Sequence, residues 1–229
     1  MGLAGAAALS VAFMSAASAQ VAPPNPTITN FGGNGSTFTV IGLNGTTSNV
    51  AVVSPGSTNT IKETLTVLNL NAGTYFTAPI GIQGATAPFS NCPTGSGYGS
   101  TRTATSDFTA PDTAGIYNIT AFLGPNFTCQ DSWRTSAGQQ VVAILIVTSF
   151  SSVCDLATSY TATTNPDVGT SLCDKLTAAQ DAAVRGDTRA EANILRAFDH
   201  QVSAQTGKAL TTGQADMLTT LVYYLRPAS

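Results

Sequence analysis

Four cysteines, Cys92, Cys129, Cys154 and Cys173, are the side chains of this 229-residue chain with the most constrained chemistry. Zinc would need them clustered with histidine, but there is no Cys-x-x-Cys, and the single histidine, His200, is distant in sequence from Cys92 and Cys129. An even count of dispersed cysteines reads as disulfides, and four of them allow three pairings. Local pairing gives Cys92–Cys129 and Cys154–Cys173, with separations of 37 and 19 residues. On loop-closure entropy, bridges of that span stabilise by about 4 and about 3 kcal/mol.

Other reactive types do not assemble into a catalytic pattern. His200 adjoins Asp199, but neighbours on a helix point about 100° apart, so the pair reads as solvated helix surface rather than an acid–base couple. Asp107 and Asp112 could pair as carboxylates or bind calcium, yet their turn context favours Asp112 capping the backbone and Asp107 facing solvent. There is no Gly-x-Ser-x-Gly elbow, phosphate-cradling loop, His-Glu-x-x-His or EF-hand loop. The expectation is a protein without catalytic residues, cofactor or metal. The residues best suited to touching a ligand are Trp133, Tyr98 and Asp131. Aromatic faces cover the apolar face of a sugar, and a nearby carboxylate takes its hydroxyls.

Disulfides imply an oxidising compartment. Residues 1–19 form a small apolar run ending Ala17-Ser18-Ala19, which reads as a cleavable signal peptide although it has no Lys or Arg. It is too short and Ala-rich for a membrane span, so no integral segment is expected after its removal. The chain is then secreted, extracellular or at the cell surface, with the periplasm also open. Net charge is −3 and the basic residues are scattered. That argues against nucleic acid and anionic membranes, and leaves an extracellular glycan or protein as partner.

These residues must be held by two kinds of element. Residues 20–150 have few charges and alternate with period two, as in Phe38 and Val40, then Ile61, Leu65 and Val67, then Tyr117, Ile119, Ala121 and Leu123. Turn clusters such as Asn44-Gly45 and Ser54-Pro55-Gly56 separate them. The pattern predicts a sandwich of about seven or more antiparallel strands. The apolar run from Val141 to Val147 is its last, most buried strand. Long loops over about 84–100 and 124–140 would be joined by Cys92–Cys129, with Phe89 on the first and Phe127 and Arg134 on the second. Asn34, Asn44, Asn118 and Asn126 each begin a glycosylation sequon.

Phe108-Thr109-Ala110-Pro111-Asp112-Thr113-Ala114-Gly115-Ile116-Tyr117 resembles the corner of bacterial Ig-like domains. By that resemblance Asp112 and Gly115 form the turn, and the Tyr117 hydroxyl bonds back to backbone a few residues upstream. Ile119 stands where antibody domains carry a cysteine, so the antibody inter-sheet disulfide is absent.

Residues 151–229 have helical spacing. Leu172, Leu176, Ala179, Ala183 and Val184 form one stripe; Ile194, Leu195, Phe198 and Val202 a second; Leu218, Leu221, Val222 and Leu225 a third. A first helix is expected from Val153 to about Tyr160, with breaks at Asn165-Pro166-Asp167, Gly186-Asp187 and Gly207-Lys208, and a last helix starting at Thr211 or Thr212. Cys154–Cys173 would staple the first helix to the second.

Arg185-Gly186-Asp187-Thr188, Asn193-Ile194-Leu195-Arg196-Ala197-Phe198 and Gln201-Val202-Ser203-Ala204-Gln205-Thr206-Gly207-Lys208, with the cysteines, resemble the FIMAH domain of secreted bacterial proteins. Asp199 departs from that pattern, which has an apolar residue after the Phe. The resemblance implies an accessory extracellular role with no catalytic residues. The expected fold is therefore two domains, an all-β Ig-like sandwich followed by a small all-α bundle of three or four helices. The expected function is a non-enzymatic structural or adhesive contact module, with carbohydrate binding through the Cys92 and Cys129 loops as the alternative.

Overall fold

The structure, a computed structural model, describes residues 25–31, 36–68, 75–85, 87–96, 99–122, 129 and 139–227. The expected signal peptide lies outside them. Among the described residues, ten strands come before four C-terminal helices. The strands are β1 Thr27–Phe31, β2 Ser36–Leu43, β3 Val50–Val53, β4 Thr58–Val67, β5 Tyr75–Thr77, β6 Ile80–Ile82, β7 Thr94–Ser96, β8 Ser100–Thr109, β9 Gly115–Ala121 and β10 Gln140–Val147. The helices are α1 Phe150–Thr161, α2 Pro166–Val184, α3 Thr188–Gln205 and α4 Thr212–Tyr223.

Two open four-stranded sheets face each other. One runs β1-β2-β4-β8 and is antiparallel throughout. The other runs β3-β10-β9-β6, and here β3 pairs with β10 in parallel, where only antiparallel pairing is expected from the sequence. β5 and β7 form a separate two-stranded ribbon. Inward residues of both sheets, among them Phe38, Leu43, Ile61, Leu65, Ile80, Ile119 and Leu145, fill one core.

The outer face of the first sheet is ranked with threonine because period two sends every second residue outward. Thr27, Thr39, Thr64 and Thr103 stand in register across its four strands. Their hydroxyls pair across strands, Thr27 with Thr39 at 3.2 Å and Thr64 with Thr103 at 3.0 Å, and Thr66 meets Thr101 at 3.1 Å. Such cross-strand pairs, each a few tenths of a kcal/mol, knit a sheet that has almost no charged ladder.

The expected fold class, a β-sandwich followed by a separate all-α bundle, is corrected to α+β. The helices do not close a core of their own. Val153, Leu172, Leu195, Phe198, Leu218 and Leu221 share one cluster with Ile144 and Ile146 of β10 and Ala114, just before β9. β10 is the reason: Leu145 and Val147 point into the inter-sheet core while Ile144 and Ile146 point at the helices. A continuous apolar run is what a strand covered on both faces requires. Thr148 Oγ1 also donates to Leu221 O at 3.5 Å, tying the strand's end to α4.

Helix ends follow local chemistry. Ser149 and Ser152 form a capping box on α1, Asn165 precedes Pro166 at the start of α2, the Asp187 side chain accepts from Ala190 N, and Thr211 and Gln214 box α4. α1 and α2 cross closely at Gly169: a Cβ there would stand 2.3 Å from Thr161 Oγ1 and 3.2 Å from Thr158 Cα. The predicted α2 stripe shifts at its end. Ala182 is buried, whereas Val184 is 82% exposed.

Candidate functional site

Both expected disulfides are formed. Cys92–Cys129 has Cα atoms 5.9 Å apart, and Cys154–Cys173, joining α1 to α2, 4.7 Å. Trp133, Tyr98 and Asp131, with Phe127 and Arg134, lie outside the described residues. The structure therefore places none of the three expected ligand-contacting side chains. The Ig-like corner residues are described. The Tyr117 hydroxyl donates to Thr113 O at 2.9 Å. Gly115 packs against that ring, and Asp112 Oδ1 lies over Gly56. Asp107 is exposed, and His200 is exposed on α3. Asp199 pairs with Arg226, whose guanidinium also lies 6.0 Å over the Tyr223 ring. Burial raises the Asp199 carboxyl pKa, and Arg226 and His200 pull it back.

The segment before Cys92 borders an open cleft of about 340 Å³ lined by Ile82, Pro88, Phe89, Ser90, Asp107 and Thr109, among others. Phe89 stacks on Phe108 with ring centroids 4.3 Å apart, so both aromatics form wall rather than exposed platform. Ser90 Oγ donates to Asp107 O at 3.3 Å and Asn91 Nδ2 to Thr105 O at 3.1 Å, which fastens the segment along β8.

Beneath that segment is a group the sequence reading passes over. Glu63 on β4 is fully buried, and it takes the inward position between Ile61 and Leu65. The signal was present: in Ile61-Lys62-Glu63-Thr64-Leu65, the period that buries Ile61 and Leu65 also buries residue 63. Desolvation pushes its carboxyl up to about 8, against a lowering contribution from Ser106. Ser106 Oγ sits 2.9 Å from Glu63 Oε1 and 2.8 Å from Asn91 O. A serine hydroxyl carries one hydrogen and cannot make two full, well-aligned donations. Ser106 Oγ is the donor as placed; a neutral Glu63 would resolve this by giving its own proton to Ser106 Oγ, so that the Ser106 hydrogen goes to Asn91 O. Glu63 Oε2 has no hydrogen-bond partner among the described residues, a lesser cost for a neutral carbonyl oxygen than for a carboxylate. The Asn91 side chain separately accepts from Cys92 N at 3.0 Å, so the residue Ser106 touches is fastened next to a disulfide cysteine.

No protein-family model matches the chain, and no curated protein matches it. Among the described residues, no helix is long and apolar enough to cross a membrane.

Proposed function

We propose that this chain is an exported, non-enzymatic contact module working outside the cell or at its surface. The observation that carries the reading is the pair of disulfides, since such bridges persist in oxidising compartments. Support also comes from the asymmetry of the two sheets. Helices cover one, while the outer face of the other is left as paired threonine hydroxyls with Lys62 and Asp107 as its exposed charges. A face of that kind meets a neutral polar surface without desolvating many ions. The resemblance of the helical segment to accessory modules of secreted proteins points the same way. The test is fractionation of the native host: recovery in culture fluid or envelope with both bridges intact supports the reading, and reduced protein in the cytoplasm overturns it.

Carbohydrate binding is the second reading, favoured by the cleft beside the Cys92 segment, where Ser90 and Asp107 offer polar groups above a wall of stacked rings. Trp133, Tyr98 and Asp131, the residues the sequence offers for sugar contact, lie outside the described residues. A glycan array on the mature chain tests this with Trp133→Ala and Asp107→Ala as controls. Binding that survives both substitutions removes the site.

A further inference from the structure

We propose that Glu63 is a buried proton latch: protonated, it holds the Pro88–Cys92 segment, and with it the Cys92–Cys129 bridge, against β8; ionised, it lets that segment go. The geometry is a short chain of contacts from Glu63 Oε1 through Ser106 Oγ to the Asn91 backbone carbonyl, at 2.9 and 2.8 Å, while the Asn91 side chain separately accepts from Cys92 N at 3.0 Å. Ser106 can satisfy both neighbours only while Glu63 supplies a hydrogen. When Glu63 loses it, Ser106 must turn its hydrogen to the carboxylate, and its oxygen then faces Asn91 O with two acceptors opposed. The same ionisation leaves Glu63 Oε2 as a charged atom in the core with no donor among the described residues. The cheapest relief is local: water reaches the carboxylate when the segment lifts from β8.

Among the described residues no counter-charge interferes. On its own strand, Lys62 is exposed on the opposite face; on β8, Arg102 and Asp107 are exposed; β2 and β7 carry no ionisable side chain. Across the core, sheet β3-β10-β9-β6 contributes one titratable group, Tyr117, whose hydroxyl is engaged by Thr113 O. The disulfide cysteines do not titrate.

The latch has a graded response. A segment whose opening exposes Glu63 opens more readily as pH rises from about 4.5, by up to tenfold per pH unit, and levels off above about 8. Amide hydrogen exchange on the full, disulfide-bonded chain reads this directly, after correction for the intrinsic pH dependence of exchange. Peptides covering 87–92 are expected to gain opening by as much as about three thousandfold across that window. In Glu63→Gln, which keeps a hydrogen to give to Ser106, the same peptides stay protected and independent of pH. Identical pH profiles in the two proteins overturn the proposal, as does a flat wild-type profile.

Should Glu63→Gln fail to fold, Ser106→Ala cuts that chain of contacts without touching the carboxyl. It is expected to expose 87–92 at every pH, and wild-type protection in that variant defeats the latch. Infrared spectra of the wild type provide a third reading. The carbonyl band of a neutral buried acid should persist at neutral pH and fade as pH passes about 8; its absence at neutral pH overturns the proposal.

Discussion

Replacing Glu63 by glutamine should change how the whole protein's stability depends on pH, and the size of the change follows from where the carboxyl sits. Its folded pKa of about 8 stands above the ordinary 4.5 because burial penalises the anion. The folded state therefore keeps a proton that the unfolded chain releases. Stability from this group is fully present below about pH 4.5, declines as pH rises, and is exhausted above about 8. The slope is about 1.4 kcal/mol per pH unit, so the window is worth about 5 kcal/mol, of which about 3 are gone by neutral pH. Against a total stability of about 5–15 kcal/mol for a typical domain, that is a large fraction.

Glutamine has nearly the same shape, can donate to Ser106 and does not ionise. Urea unfolding followed by circular dichroism, at steps from about pH 5 to about pH 8 with disulfides intact, gives the difference between the two proteins directly. At the acid end the variant should be as stable as wild type or slightly less so. Moving to the alkaline end, the difference should swing in the variant's favour by several kcal/mol. Two parallel curves would refute the reasoning, because they would mean that Glu63 is already ionised, or already in water, in the folded protein.

Three further outcomes test the packing. Gly169→Ala drives a methyl to within 2.3 Å of Thr161 Oγ1 at the α1–α2 crossing and should cost roughly 1–3 kcal/mol in thermal or urea unfolding, whereas Gly213→Ala, with open space around it, should be neutral or stabilising by up to about 1 kcal/mol. Replacing Cys154 and Cys173 together by alanine should lower stability by about 3 kcal/mol, the cost expected for a loop of 19 residues; an unchanged urea midpoint would show that the helices need no staple. Arg226→Ala strips Asp199 of its partner and should cost about 1 kcal/mol at neutral pH, since the pair is only partly exposed, and the loss should shrink as acid neutralises Asp199. Asp199→Asn in the Arg226→Ala background should recover part of that loss.

How much of this was legible in the sequence depended on whether the governing contact was local. The breaks between helices were, because Asn165-Pro166, Gly186-Asp187 and Thr211 act through bonds within one turn, whereas α1 begins at Phe150, three residues before the expected Val153, on the Ser149–Ser152 capping box. Both disulfides were, because each pairs cysteines close in sequence. The parallel pairing of β3 with β10 was not, since residues about ninety positions apart meet there and no turn chemistry announces them. Glu63 was hidden for another reason. Period two marks a face as buried without saying what a charged residue on that face will do, and the partners that answer, Ser106 and Asn91, come from a strand and a loop far along the chain.

β10 also explains why the chain looks like two separable halves when read as a string. Composition changes abruptly near Phe150, and a change of composition is normally a change of domain. Here it marks a change of element type within a layered fold. Had Val141–Val147 alternated apolar with polar residues, its outer face would have stayed wet and the helices would have had to bury their stripes against one another alone. Instead Ile144 and Ile146 face them, and α1 and α4 close over the sheet with Val153, Leu218 and Leu221. The same run that signals deep burial thus carries the information that a further layer must cover it, and among the described residues the helical stripes that follow supply that layer.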